Sequence, residues 1–189
     1  MSEQRSNRPD GDIWIFAYGS LMWHPNFDYI EKSHAQLYGY HRALCIYSWE
    51  YRGTVDKPGL VFGLNKGGSC RGMAFRVSDT NADAVISYLS EREMITGVYC
   101  PRWQNITLFD QAKKNLRTAN AYIFVADTQH DQYCGTLPDD ETVRLVRQGH
   151  GKAGPCIDYL QNTLDHLNEL GIQDATLARI IKKTAGTMI

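Results

Sequence analysis

Apolar residues recur at a spacing of about two through most of the first two thirds of the chain, and at about 3.6 through the last third. One amphipathic segment, "SDTNADAVISYLSERE", interrupts the strand-forming part. Ala82, Val85, Ile86 and Leu89 make its apolar stripe, and Asp79 or Thr80 is placed to cap it. Strands first, helices later and one helix inserted is the order of an α+β domain, not of repeating βαβ units. The expected strands are "IWIFAYG", ending on Gly19, and "AQLYGYHRALCIYSW", long or bulged with Gly39 as its irregularity. "LVFGLNKGGSCRGMAFRV" reads as a hairpin turning at "NKGG", followed by the strands "VYCPRWQNITLF" and "NAYIFVA". "HPNFDYIEKSH" reads as connecting structure, and "EYRGTVDKPG", Glu50 to Gly59, as a long loop. The helices of the last third are "DDETVRLVRQG", "CIDYLQNTLDHLNELG" with Ile157, Leu160, Leu164 and Leu167 on one face, and "DATLARIIKKT". Gly149 and Gly171 stand at expected helix stops, and Asp174 at a start.

At 189 residues the chain can bury one sizeable core, so the expected organisation is a flexible segment 1–12 and one domain over 13–189. A formal net charge of -1 argues against a nucleic-acid partner, which would favour a basic surface. No apolar run approaches the roughly 20 residues that span a bilayer, and the polar start "MSEQRSNRPDGD" lacks a secretory core. The expectation is a cytoplasmic protein with no membrane partner. Five scattered cysteines with no CxxC pair argue against a disulfide framework or structural zinc and read as reduced core fillers. Oligomeric state is not legible.

Several segments compete as the functional site. "GHGKAG", Gly149 to Gly154, matches the letters of a dinucleotide fingerprint, but a helix and not a strand precedes it, so it reads as a helix-to-helix connection. The six histidines form no recognisable metal pattern. Ser20 as a hydrolase nucleophile lacks GxSxG and a nominated base, and nothing near Cys100 would lower its pKa. Glu93 is more informative. At 100° per residue it lies about 20° from Ile86 and about 40° from Leu89, whereas Glu91 lies about 140° from Ile86. A carboxylate on the apolar face at a helix C-terminus meets desolvation and the negative end of the dipole, and both raise its pKa toward that of a general base. The alternatives are a buried ion pair with Arg92 or Arg102, or a frayed last turn that reaches water. "FAYGSLMW" offers a complementary feature: a strand ending on Gly-Ser can turn the N–H groups of Tyr18, Gly19, Ser20 and Leu21 toward one anion.

"FAYGSLMW", "YRGTVDKPG", "CRGMAFRV", "YLSEREM" with Tyr99 shortly after it, and "GHGKAGPCIDYL" follow in an order that resembles the ChaC-type γ-glutamylcyclotransferases, closest to their bacterial branch. The resemblance runs from about Ile13 to about Leu160. It implies a mixed β-barrel flanked by helices and a lyase that converts glutathione to 5-oxoproline and Cys-Gly. It also implies Glu93 as the catalytic base and then acid, Tyr18, Gly19, Ser20 and Leu21 as the substrate-binding loop, Tyr99 as a positioning hydroxyl, and no cofactor or metal. One departure concerns Tyr99: "MITGVY" is longer than the Gly-Gly-Tyr of some relatives and has Val98 in place of the second glycine. Other γ-glutamyl amino acids or amines are the alternative substrates, with the loop from Tyr51 to Gly59 as the suspected specificity element. A non-catalytic metabolite-binding regulator is the alternative outside enzymes.

Overall fold

The computed structural model describes residues 8–93, 97–110 and 116–186. In chain order these form β1 (Ile13–Ala17), a 3-10 turn (Ser20–Met22), β2 (Glu31–Ser48), β3 (Gly59–Val77), α1 (Asp79–Glu93), β4 (Tyr99–Phe109) and β5 (Arg117–Ala126). Then follow α2 (Asp139–Gln148), the two-residue strands β6 (His150–Gly151) and β7 (Gly154–Pro155), α3 (Cys156–Glu169) and α4 (Ala175–Ala185). β1 to β5 close a barrel in the order β1-β3-β2-β4-β5, and β6 pairs with β7 alone. The α+β class and the closed barrel are both as expected.

β1 is apolar at every position because it is buried at every position and paired on both edges. β3 runs antiparallel to it, Ile13 opposite Val77 through Ala17 opposite Met73. β5 runs parallel, with Trp14 opposite Ala121 and Ile15 opposite Tyr122. β2 and β4 are antiparallel, His34 opposite Phe109 through Leu37 opposite Ile106.

Contacts group the chain into two compact units, Met1–His41 with Lys66–Val125, and Arg42–Asn65 with Ala126–Ile189. In the first, Ile13, Ile15, Phe16, Leu37, Phe75, Leu89, Ile106 and Ile123 are fully buried. Residues 1–7 of the N-terminal segment lie outside the described residues. Arg8, which follows them, bonds Asp79 Oδ1 at 2.8 Å and reaches Asp83 at 3.3 Å.

The second unit packs α2, α3 and α4 on one another. Asp174 caps α4 as expected, its carboxylate accepting from the Leu177 N–H at 3.0 Å. The "GHGKAG" segment connects α2 to α3 as the β6–β7 hairpin, and it is stitched to the long loop 50–59: Lys152 N–H donates to Glu50 O and Ala153 N–H to Tyr51 O, both at 2.9 Å. Gly149 is required there by close approach, since a Cβ would lie 2.6 Å from both Arg52 O and Gly59 Cα.

Four local expectations need correction. "NKGG" does not reverse the chain: β3 runs through it, with Gly67 at φ +94° and Gly68 at φ +68°. β3 lies between β1 and β2, and on the β2 side His41 Nδ1 lies 2.9 Å from Gly67 O, so two left-handed residues bend a strand where a turn was expected. Gly39, at φ +84°, is the irregularity of β2 as expected. β2 begins at Glu31, inside the segment read as connecting structure. α1 begins at Asp79 itself, whose N–H donates to Asp12 Oδ1 at 3.0 Å, so neither Asp79 nor Thr80 precedes it as a cap. The buried line of α3 is Cys156, Leu160, Thr163 and Leu167, with Ile157 and Leu164 only half-buried.

Candidate active site

Two pieces of the first unit converge: the turn after β1 and the last turn of α1. Gly72 of β3 sets the first piece. A Cβ there would run into the Ala17 carbonyl oxygen and lie 3.1 Å from Phe16 Cζ, so glycine lets β3 close on the end of β1. Beyond Ala17 the chain passes Tyr18, buried, and Gly19 at φ −135°, outside the left-handed region, and enters the 3-10 turn. The turn closes through Met22 N–H to Gly19 O at 2.9 Å, Trp23 N–H to Ser20 O at 3.3 Å and His24 N–H to Ser20 O at 2.9 Å. Because 3-10 bonds connect residues three apart, those of this turn start at Met22 and leave the N–H groups of Gly19, Ser20 and Leu21 outside its ladder. Leu21 is buried; Gly19 and Ser20 are half-buried.

On α1, Ala82, Val85, Ile86 and Leu89 form the buried stripe, Glu91 is exposed, and Glu93 continues the stripe with a side chain only 20% exposed. Burial pushes the Glu93 carboxyl above the ordinary glutamate range, and the Arg92 charge pulls it part of the way back. The ion pair held as an alternative is present as well, with Arg92 Nε 3.3 Å from Glu93 Oε1. Glu93 is both buried and paired.

Arg92 does more than neutralise its neighbour. Its Nη2 donates to Ser20 Oγ at 3.1 Å, and its Nη1 donates to His24 O and to the Tyr88 hydroxyl, both at 2.9 Å. One guanidinium therefore joins the turn to the helix end. Tyr88 stands one helical turn before Arg92 and is backed by Phe27, whose ring lies 6.5 Å from Tyr88 and 5.9 Å from Phe75. Sequence reasoning named Arg92 only as a partner for Glu93; the Tyr88–Arg92 spacing of four was the available signal. Ser20 fares poorly as a nucleophile, since its oxygen accepts from a permanently charged group that cannot serve as a base.

Tyr99 opens β4 and is half-buried. Met94, Ile95 and Thr96 of "MITGVY" lie outside the described residues. Among the described residues, no helix is long and apolar enough to cross a membrane.

The chain resembles known proteins in sequence and in fold. The chain is 37% identical over 168 residues to the glutathione-specific γ-glutamylcyclotransferase of Escherichia coli K12, covering 88% of this chain and 71% of that protein. It is 30% identical to the human glutathione-specific γ-glutamylcyclotransferase 1, over 96% and 83% of the two chains. Its fold matches the crystal structure of a yeast γ-glutamyl cyclotransferase specific to glutathione with a TM-score of 0.82, at 19% identity over 93% and 96%. The family model described as ChaC-like protein matches residues 13–186, and the chain belongs to that family.

Proposed function

We propose that this protein is a glutathione-specific γ-glutamylcyclotransferase, a lyase that releases 5-oxoproline and Cys-Gly. The observation that supports the chemistry is the bridge from Ser20 through Arg92 to Glu93, which joins the turn after β1 to a carboxyl of raised pKa. The names of the E. coli and human relatives supply the substrate.

The substrate's α-amino nitrogen attacks its own γ-carbonyl carbon. A C–N bond closes the five-membered ring, the amide C–N bond to the cysteine breaks, and no water is consumed. Nucleophile and electrophile are already tethered, so the protein's task is to hold the folded conformer and pass protons from the attacking nitrogen to the departing one. Glu93 takes one proton from the α-ammonium group, which frees the amine to attack, and delivers it to the departing nitrogen; the ring nitrogen sheds its second proton as it becomes the lactam N–H, and that proton ends on the released amine as its ammonium form. A raised pKa suits a carboxyl to this traffic near neutral pH. The N–H groups of Tyr18 to Leu21 hold the α-carboxylate or the oxyanion that develops on the γ-carbonyl. Arg92 keeps the turn and the base in register, and Tyr99 positions the substrate with its hydroxyl.

The test is product identity. Purified protein is incubated with glutathione, γ-glutamyl-alanine and γ-glutamylamines in parallel, and products are identified by mass spectrometry. Glutathione should give 5-oxoproline and Cys-Gly far faster than the others react. Free glutamate would reveal hydrolysis, preferential turnover of another γ-glutamyl compound would remove the glutathione assignment, and no turnover of any substrate would remove the enzyme.

A further inference from the structure

Tyr122 lies on β5 with 2% of its surface exposed, opposite Ile15 of β1, the strand that feeds the turn at Gly19 and Ser20. Its hydroxyl is one of two buried side-chain polar atoms that have no hydrogen-bond partner among the described residues. The other, Arg76 Nε, has the Glu31 carboxylate 3.2 Å away to offset it. Among the described residues, Ser90 of α1 is the polar side chain that acts on the phenol, drawing its pKa down without meeting the geometry of a hydrogen-bond partner. Ser90 precedes Glu93 by three residues, which places the two on neighbouring turns of one helix face, about 5–6 Å apart at Cβ. Trp103 and Phe124 hold the ring, with centroids 5.0 and 5.3 Å from it.

A buried hydroxyl without a proper hydrogen-bond partner is destabilising, a burden that a protein keeps where something else uses the group. Phenylalanine would fill the same aromatic slot without that cost. We propose that the Tyr122 hydroxyl contacts the substrate, donating a hydrogen bond to an oxygen of the bound γ-glutamyl group. The inference rests on the function proposed above. Burial pushes the phenol's pKa upward, so it keeps its proton at neutral pH and stays a donor.

The experiment compares Tyr122→Phe and Ser90→Ala with the unmodified protein, measuring kcat and KM for glutathione together with Tm. Tyr122→Phe should lower kcat/KM by about 10- to 100-fold, the loss of one hydrogen bond to a charged or developing anionic oxygen, with Tm unchanged or higher. Ser90→Ala should stay close to unmodified activity. Three results would overturn the proposal: unchanged kcat/KM in Tyr122→Phe, a loss of activity accompanied by a fall in Tm, or the same loss in Ser90→Ala, which would show that the phenol acts through the helix. If the unmodified protein makes no 5-oxoproline, the functional reading fails first and independently of Tyr122.

Discussion

Replacing Arg92 separates its two roles, position and charge. The guanidinium spreads its contacts over three nitrogens: Nη2 to Ser20, Nη1 to His24 and Tyr88, and Nε to Glu93. Arg92→Lys keeps the charge but gathers all donors on one nitrogen, which cannot span these four groups. Losing about two hydrogen bonds at a net 0.5–1.5 kcal/mol each, from a side chain 23% exposed, costs about 1–3 kcal/mol. At this chain length each kcal/mol lowers Tm by about 2–4 °C, so a fall of roughly 4–8 °C is expected for a loss of about 2 kcal/mol. Activity should suffer more than stability, because a shift of about 1 Å between the turn and the base is worth about 10² in rate. Arg92→Gln also removes the charge that lowers the Glu93 pKa, so the acid limb of kcat/KM should move to higher pH, while Arg92→Lys leaves it near its original place. Both variants are assayed by 5-oxoproline release from glutathione across the neutral range, with Tm measured alongside. If Arg92→Lys stays within about threefold of unmodified kcat/KM at every pH, the guanidinium does not set the register of the site. If Arg92→Gln leaves the acid limb in place, its charge does not tune the base.

Glu93→Gln should keep the fold and lose a factor of about 10² to 10⁴ in kcat, while Glu91→Gln on the exposed face should change little; equal losses would refute the facial assignment. The same variant makes a stability prediction. The Glu93 carboxyl has a raised pKa in the folded protein, so its contribution is lost as pH rises through that value, and Glu93→Gln should melt higher than the unmodified protein above neutrality. The gap should close below the unfolded value of about 4.3, and a gap that widens in acid would reverse the sign of the shift. Gly149→Ala should cost about 1–3 kcal/mol in urea unfolding, since its Cβ would meet the backbone at Arg52 and Gly59; an unchanged midpoint would mean that loop 50–59 yields freely.

The fold was legible wherever burial alone decides a residue. β1 could be read because a strand paired on both edges must be apolar throughout, and α4 because Asp174 caps it with its own side chain. Where a partner decides, periodicity was blind. "EKSH" at the start of β2 looks like a loop, yet Glu31 is satisfied by ion pairs to Arg76 on β3 and Arg117 on β5. "NKGG" supplies left-handed residues that suit a turn and a bend equally, and only the adjacent β2 selects the bend. On α3, the expected face missed Thr163, which counts as polar, and Cys156, which opens the helix ahead of the periodic stripe. Thr163 is buried by bonding to Tyr159 O one turn back, and Cys156 by bonding to Leu60 O.

The site divides along the same line. Glu93 could be found because helix geometry converts its sequence position into a face, and burial of that face follows from its neighbours. Arg92, one residue earlier, sits about 100° off that position, and facial arithmetic gives it no role. Its reach is what matters: a long, forked side chain crosses from α1 to Ser20, 72 residues away in sequence, a pairing that exists only once the barrel has brought β1 beside the helix. Tyr122 was hidden more deeply, since an aromatic residue in "NAYIFVA" looks like ordinary core and the lack of a hydroxyl partner is a property of three dimensions. A cyclisation needs a base and an anion holder within the span of one small molecule. In the mechanism proposed above, their spacing depends on one guanidinium and not on continuous backbone, so substitutions at Arg92 should disturb catalysis well before they unfold the chain.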